Sequence, residues 1–70
     1  MTINIVLADL IASRKMTQKD LAELTGIRPS AISYLCRNYV DRVCLAHIER
    51  IATALNITDI REIIRLEATA

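Results

Sequence analysis

Apolar residues recur along this chain at spacings of three and four, and polar interruptions divide the pattern into five segments. Ile3, Val6, Leu7, Leu10 and Ile11 form the first stripe and predict a helix over residues 2–15, capped by Thr2. Ile5 falls outside that stripe, where it is exposed or lies against a partner, and Met16 follows as a plug for the core. Leu21, Ala22 and Leu24 give the inner face of a second helix over Gln18–Thr25. Ile32, Leu35, Cys36 and Tyr39 give that of a third, over 29–37. Ile48, Ile51, Ala52 and Leu55 predict a fourth helix over 44–55. Ile57, Ile60, Ile63, Ile64 and Leu66 predict a fifth, over 59–67. These are too many apolar residues for one narrow stripe, so some are expected to remain exposed as an interface.

The punctuation between stripes agrees with helices. Thr17 is suited to an N-cap, and Asp20 three residues on completes an approximate capping box. Gly26 supplies the positive φ that ends the second helix. Pro29 opens the third, its fixed φ and missing N–H suiting the first position. Asn38 and Asn56 are candidate left-handed caps. Arg14 and Lys15 close the first helix where cations suit the dipole, and Thr58 with Asp59 opens the fifth. Residues 39–43 form a loop, and 68–70 a frayed end. One Gly and one Pro among 70 residues argue for an all-α chain with short connections.

Seventy residues make a single domain, 1–70, and a hydrophobic fraction of 53% makes a packed core credible. Without Phe or Trp that core is almost wholly aliphatic. Net charge is only +1, but its distribution is uneven. From Arg14 to Arg42 six basic residues face three acidic ones, while the segments before and after are each −1. Positive charge gathers where a nucleic-acid footprint would need it. Cys36 and Cys44 fit no metal-ligand spacing; they could pair, but two reduced, buried thiols are the stronger reading. No metal or cofactor is expected. No secretory leader or membrane-spanning run is read, and a cytoplasmic, nucleoid-associated protein is expected.

The stretch from Thr17 to Asn38 resembles the helix-turn-helix of the phage repressor and Cro (XRE-type) family. Counted from Gln18, that motif has Ala fifth, Gly ninth and branched aliphatics fifteenth and eighteenth, matched by Ala22, Gly26, Ile32 and Leu35. The resemblance covers nearly the whole chain. It implies a compact five-helix, lambda-repressor-like domain with the motif on helices two and three. The family's buried Arg–Glu pair falls at Ile11 and Cys36, so an apolar contact is expected in its place. Asn38 stands where the family usually has Gly.

The third helix carries a second stripe, Ser30, Ser33, Tyr34 and Arg37, of hydroxyls and a guanidinium. Such groups reach base edges and phosphates. The resemblance implies a transcriptional regulator that binds double-stranded DNA with this helix in the major groove. Pro29, Ser30 and Tyr34 match positions that face bases, and Arg28 and Ser33 join them. Gln18 matches a residue that grips the phosphate backbone, with Lys19, Arg37, Asn38 and Arg42 as further phosphate contacts. Lys19, Arg37 and Arg42 are equally readable as ordinary surface cations, Ser30 as a cap for an early amide, and Tyr34 as a rim residue over helix two. His47 reads as a surface residue away from the motif. A homodimer on an inverted-repeat operator, or a monomer that dimerises only on DNA, is expected, joined through Ile60, Ile63 and Ile64. The competing class is a protein-interaction module, such as an antitoxin or anti-repressor. An enzyme is not expected: no Ser–His–Asp set, activated thiol or phosphate loop is present.

Overall fold

Thr2-Ile-Asn-Ile alternates polar and apolar residues, and so does Ile64-Arg-Leu-Glu; the two segments find each other across the length of the chain. The computed structural model describes residues 1–68, with the side chain of Arg42 outside the described set. Strand β1 (Thr2–Ile5) leads into helices α1 (Leu7–Ser13), α2 (Gln18–Thr25) and α3 (Pro29–Cys36). A 3-10 turn at Val40–Arg42, helix α4 (Leu45–Ala54), a second 3-10 turn at Ile60–Glu62 and strand β2 (Ile64–Glu67) follow. β1 and β2 pair antiparallel, with Thr2 opposite Glu67, Ile3 opposite Leu66, Asn4 opposite Arg65 and Ile5 opposite Ile64.

This corrects the expectation at both ends. The predicted first helix begins only at Leu7, because residues 2–5 are a strand. The predicted fifth helix is a 3-10 turn and a strand, so the described residues hold four α-helices and the fold is not all-α. Crowded β-branched side chains favour extended backbone, and the antiparallel ladder satisfies both segments at once. Asp59, not Thr58, caps the second 3-10 turn: its carboxylate accepts the Arg61 amide at 2.9 Å and the Arg61 guanidinium at 2.8 Å. Those bonds hold the Asp59 carboxyl down to about 2.

The core is aliphatic. Leu7, Leu21, Ile32, Ile51 and Ile63 are wholly buried, with Ile5, Leu10, Ile11, Ile27, Leu35, Ile48, Leu55 and Ile57 around them. Met16 and Cys36 pack against it, so the two positions of the absent ion pair, Ile11 and Cys36, both face inward. Five expectations fail on burial. Ile5 is core and Ile3 is half exposed, the reverse of the helical reading: the two share one face of β1, and only its Ile5 end lies over the core. Leu24 and Tyr39, expected inside, are exposed. Cys44 is an exposed free thiol; Cys36, partly buried, is the one whose pKa is pushed up by desolvation.

The helix ends explain how so short a chain turns so sharply. Thr17 Oγ1 accepts the Asp20 amide at 3.1 Å and Asp20 Oδ2 accepts the Thr17 amide at 3.0 Å, a complete capping box. These bonds lower the Asp20 pKa, the backbone one most. Gly26 closes α2 at φ +72. The other three helices end on left-handed non-glycine residues: Lys15, Asn38 and Asn56. Each ending has paired return bonds, such as Tyr39 N–H to Tyr34 O at 3.2 Å and Asn38 N–H to Leu35 O at 3.1 Å, the Schellman pattern. Arg14 donates to the Leu55 carbonyl at 2.9 Å, so the cation expected to favour the end of the first helix secures the end of α4 instead.

Candidate nucleic-acid interface

Three constraints set the attitude of α3. The capping box fixes where α2 begins, left-handed Gly26 turns the chain, and Pro29 opens α3 at its first position. Ile32 and Leu35 are buried at relative exposures of 0% and 3%, so the opposite side must face out. Arg28, Pro29, Ser30, Tyr34 and Arg37 are exposed, and Ser33 is partly so. Ser30, Ser33, Tyr34 and Arg37 line one shallow groove, which brings the whole predicted polar stripe together.

Tyr34 is exposed. Its ring lies 5.4 Å from that of Tyr39, tilted by 47°. The contact follows from the Schellman ending, which carries the chain back so that the residue after the left-handed position meets the third residue from the helix end. Tyr39, expected in the core, thereby steadies Tyr34 on the exposed face. No side-chain cap closes the N-terminus of α3. Ser30 thus faces outward without serving as the cap it could have been.

Gln18 and Lys19, at the start of α2, are exposed. Asn38 is committed elsewhere: Oδ1 accepts the Ile5 amide at 2.6 Å, and Nδ2 donates to Asn4 Oδ1 at 3.1 Å. Its carboxamide ties the end of α3 to β1. The side chain of Arg42 lies outside the described residues. Among the expected interface residues, Ile63 is wholly buried within its own chain and Ile64 is partly buried, while Ile60 is 57% exposed. Ile63 therefore has no surface to offer a partner.

Two residues were missed from the sequence. A second groove beside the start of α3 is lined by Arg28, Ser30, Ala31 and Tyr34 on one wall and by His47 and Arg50 on the other. His47 is therefore beside the motif, not away from it. The spacing of His47 and Arg50, one turn apart on a single face of α4, was visible; which neighbour that face meets was not.

No described helix is long and apolar enough to cross a membrane, and no cluster of three metal-ligating side chains occurs among the described residues.

A capped helix, a glycine turn and a proline-started helix with a polar outer face define a helix-turn-helix domain. Residues 6–69 match the family model of Cro/C1-type helix-turn-helix DNA-binding domains, and the chain belongs to that family. No curated protein and no solved structure matches it. The family is a DNA-binding, regulatory class, not an enzyme class.

Proposed function

We propose that this protein is a transcriptional regulator of the Cro and repressor type, reading an operator half-site with α3 in the major groove. The observation that carries the reading is the outward face of Ser30, Ser33, Tyr34 and Arg37, held rigid by the capped α2 behind it. Arg28, Pro29, Ser30, Ser33 and Tyr34 meet the bases. Hydroxyls discriminate weakly and Pro29 offers only apolar contact, so preference is loose at those steps. Gln18, Lys19 and Arg37 meet phosphates, which set affinity and salt dependence. Two copies read an inverted repeat with half-site centres about 34–36 Å apart.

The competing reading is a protein-interaction module, favoured by the exposed Leu66, Ile3 and Val40. The polar outer face of α3 argues for DNA, because a protein-binding face is usually built on apolar anchors.

Selection of bound duplexes from a random pool, with an Arg37→Ala, Ser30→Ala, Tyr34→Ala variant as control, tests the proposal. An enriched inverted repeat that is lost in the variant is the expected result. No enrichment with folded protein would overturn it in favour of a protein partner.

A further inference from the structure

Tyr34 and Tyr39 are the only Phe, Tyr or Trp residues in this chain, and neither belongs to the core. They are 41% and 43% exposed, and they meet each other. On an uninterrupted helix, residues five apart point about 140° away from one another. The left-handed turn at Asn38, φ +65, removes that divergence. It carries the chain back so that the Tyr39 amide donates to the Tyr34 carbonyl at 3.2 Å. Tyr39 is therefore anchored to the backbone of Tyr34 as well as to its ring. The ring separation of 5.4 Å and tilt of 47° lie in the favoured range for an aromatic pair. Tyr34 lines both grooves beside the outer face of α3, with Ser30, Ser33 and Arg37 in one and with Arg28, His47 and Arg50 in the other. Tyr39 lines neither.

We propose that Tyr39 is a positioning residue: its ring holds Tyr34 in one orientation and thereby sets the base preference at the step Tyr34 meets. This rests on the operator reading of α3. An exposed tyrosine on a helix has two χ1 orientations open to it. A reader that moves between them meets two sets of base edges and discriminates poorly. The neighbouring ring favours the orientation in which the pair is in contact. That preorganisation removes the cost of immobilising Tyr34 on binding. It also sharpens discrimination, because a hydroxyl or ring edge held in place gains only where a matching base-edge group or thymine methyl is presented. The Tyr39 ring suffices for this, and its hydroxyl plays no part. Phosphate contacts are untouched, because Tyr39 carries no positive charge and lines neither groove.

The test has two arms, both on the full chain, with circular dichroism recorded for every variant. In the first, ring-labelled tyrosine gives NMR signals from Tyr34 and Tyr39 alone, and their relaxation reports ring motion. Tyr39→Ala should raise the mobility of Tyr34, and Tyr39→Phe should not. In the second, duplex selection is repeated with each variant, and Tyr34→Ala locates the step that Tyr34 reads. Tyr39→Ala should relax preference at that step by about three- to tenfold. It should leave the slope of log affinity against log salt unchanged. Tyr39→Phe should keep the wild-type preference, and adding Tyr39→Ala to Tyr34→Ala should change nothing further. A Tyr34 ring that is equally ordered without Tyr39 would overturn the proposal. So would loss of preference with Tyr39→Phe, which makes the hydroxyl a direct contact. A selected sequence that is insensitive to Tyr39→Ala defeats the positioning role alone. No selected sequence from the wild type, with Tyr34 loosened by Tyr39→Ala, defeats the operator reading; the base-preference role falls with it while the ring contact stands.

Discussion

Asn38 Oδ1 accepts the backbone amide of Ile5 at 2.6 Å, across 33 positions of sequence, and so links the end of α3 to the strand that opens the chain. The same residue holds φ +65 to close α3. The two roles separate by substitution. Asn38→Gly keeps the left-handed backbone and loses the bridge, costing about 1 kcal/mol. Asn38→Ala loses the bridge and adds left-handed strain of roughly 1–2 kcal/mol. Urea unfolding should rank wild type above the Gly variant and the Gly variant above the Ala variant. Equal stability of the two variants would show that the backbone strain is negligible.

Ile63 and Ile60 lie three residues apart in the same apolar run, yet Ile63 is 0% exposed and Ile60 57%. Truncating a buried isoleucine leaves a cavity and costs about 2–5 kcal/mol. A chain this small commands roughly 3–5 kcal/mol in all. Ile63→Ala should therefore leave the protein largely unfolded, whereas Ile60→Ala should shift the urea midpoint hardly at all. Similar effects at both positions would mean that residues 60–63 pack otherwise.

Arg50 shares a groove with Arg28, Ser30 and Tyr34. If DNA follows α3, a phosphate passes that groove. Arg50→Ala should lower affinity uniformly across sequences and reduce the slope of log affinity against log salt by about 0.9. Fluorescence anisotropy across a salt series measures it. An unchanged slope would confine the DNA footprint to α2 and α3.

Asp59 and Asp20 both hold pKa values below the ordinary carboxylate range, Asp59 at about 2 through Arg61 and Asp20 through Thr17. A folded-state pKa that is depressed stabilises the native chain above the unfolded value, near 4, and the benefit disappears as pH falls through the folded value. Stability should thus decline below about pH 4. Asp59→Asn should flatten that decline relative to wild type. Thermal melts between neutral and strongly acidic pH provide the measurement, and an unaltered acid limb would show that the Asp59–Arg61 contact contributes nothing to stability.

Much of the candidate interface was legible because its signals are local. Thr17 with Asp20, Gly26 and Pro29 each act on their own backbone, and each appears in the structure as expected. The alternation of Ile32 and Leu35 with Ser30, Ser33, Tyr34 and Arg37 divides α3 into an inner and an outer face by helical geometry alone. Tyr39 shows where that geometry stops: the left-handed turn at Asn38 intervenes, so the helical period no longer governs its direction.

The ends of the chain were misread because their pattern was ambiguous. In Thr2-Ile-Asn-Ile-Val-Leu, apolar residues satisfy both a helical and an alternating period, and the same holds from Ile60 to Leu66. A short strand has no hydrogen bonds of its own, so neither segment could reveal its state without its partner some sixty positions away. The sequence by itself determined the capped helices, their turn and the polar face of α3, because those depend on contacts within a few residues. Only the tertiary structure decided that the termini meet as a sheet, that Ile63 is core and Ile3 surface, that Asn38 bridges to Ile5 and that α4 brings His47 and Arg50 beside α3. Each of these depends on which distant surface is present to satisfy a backbone amide or cover a side chain.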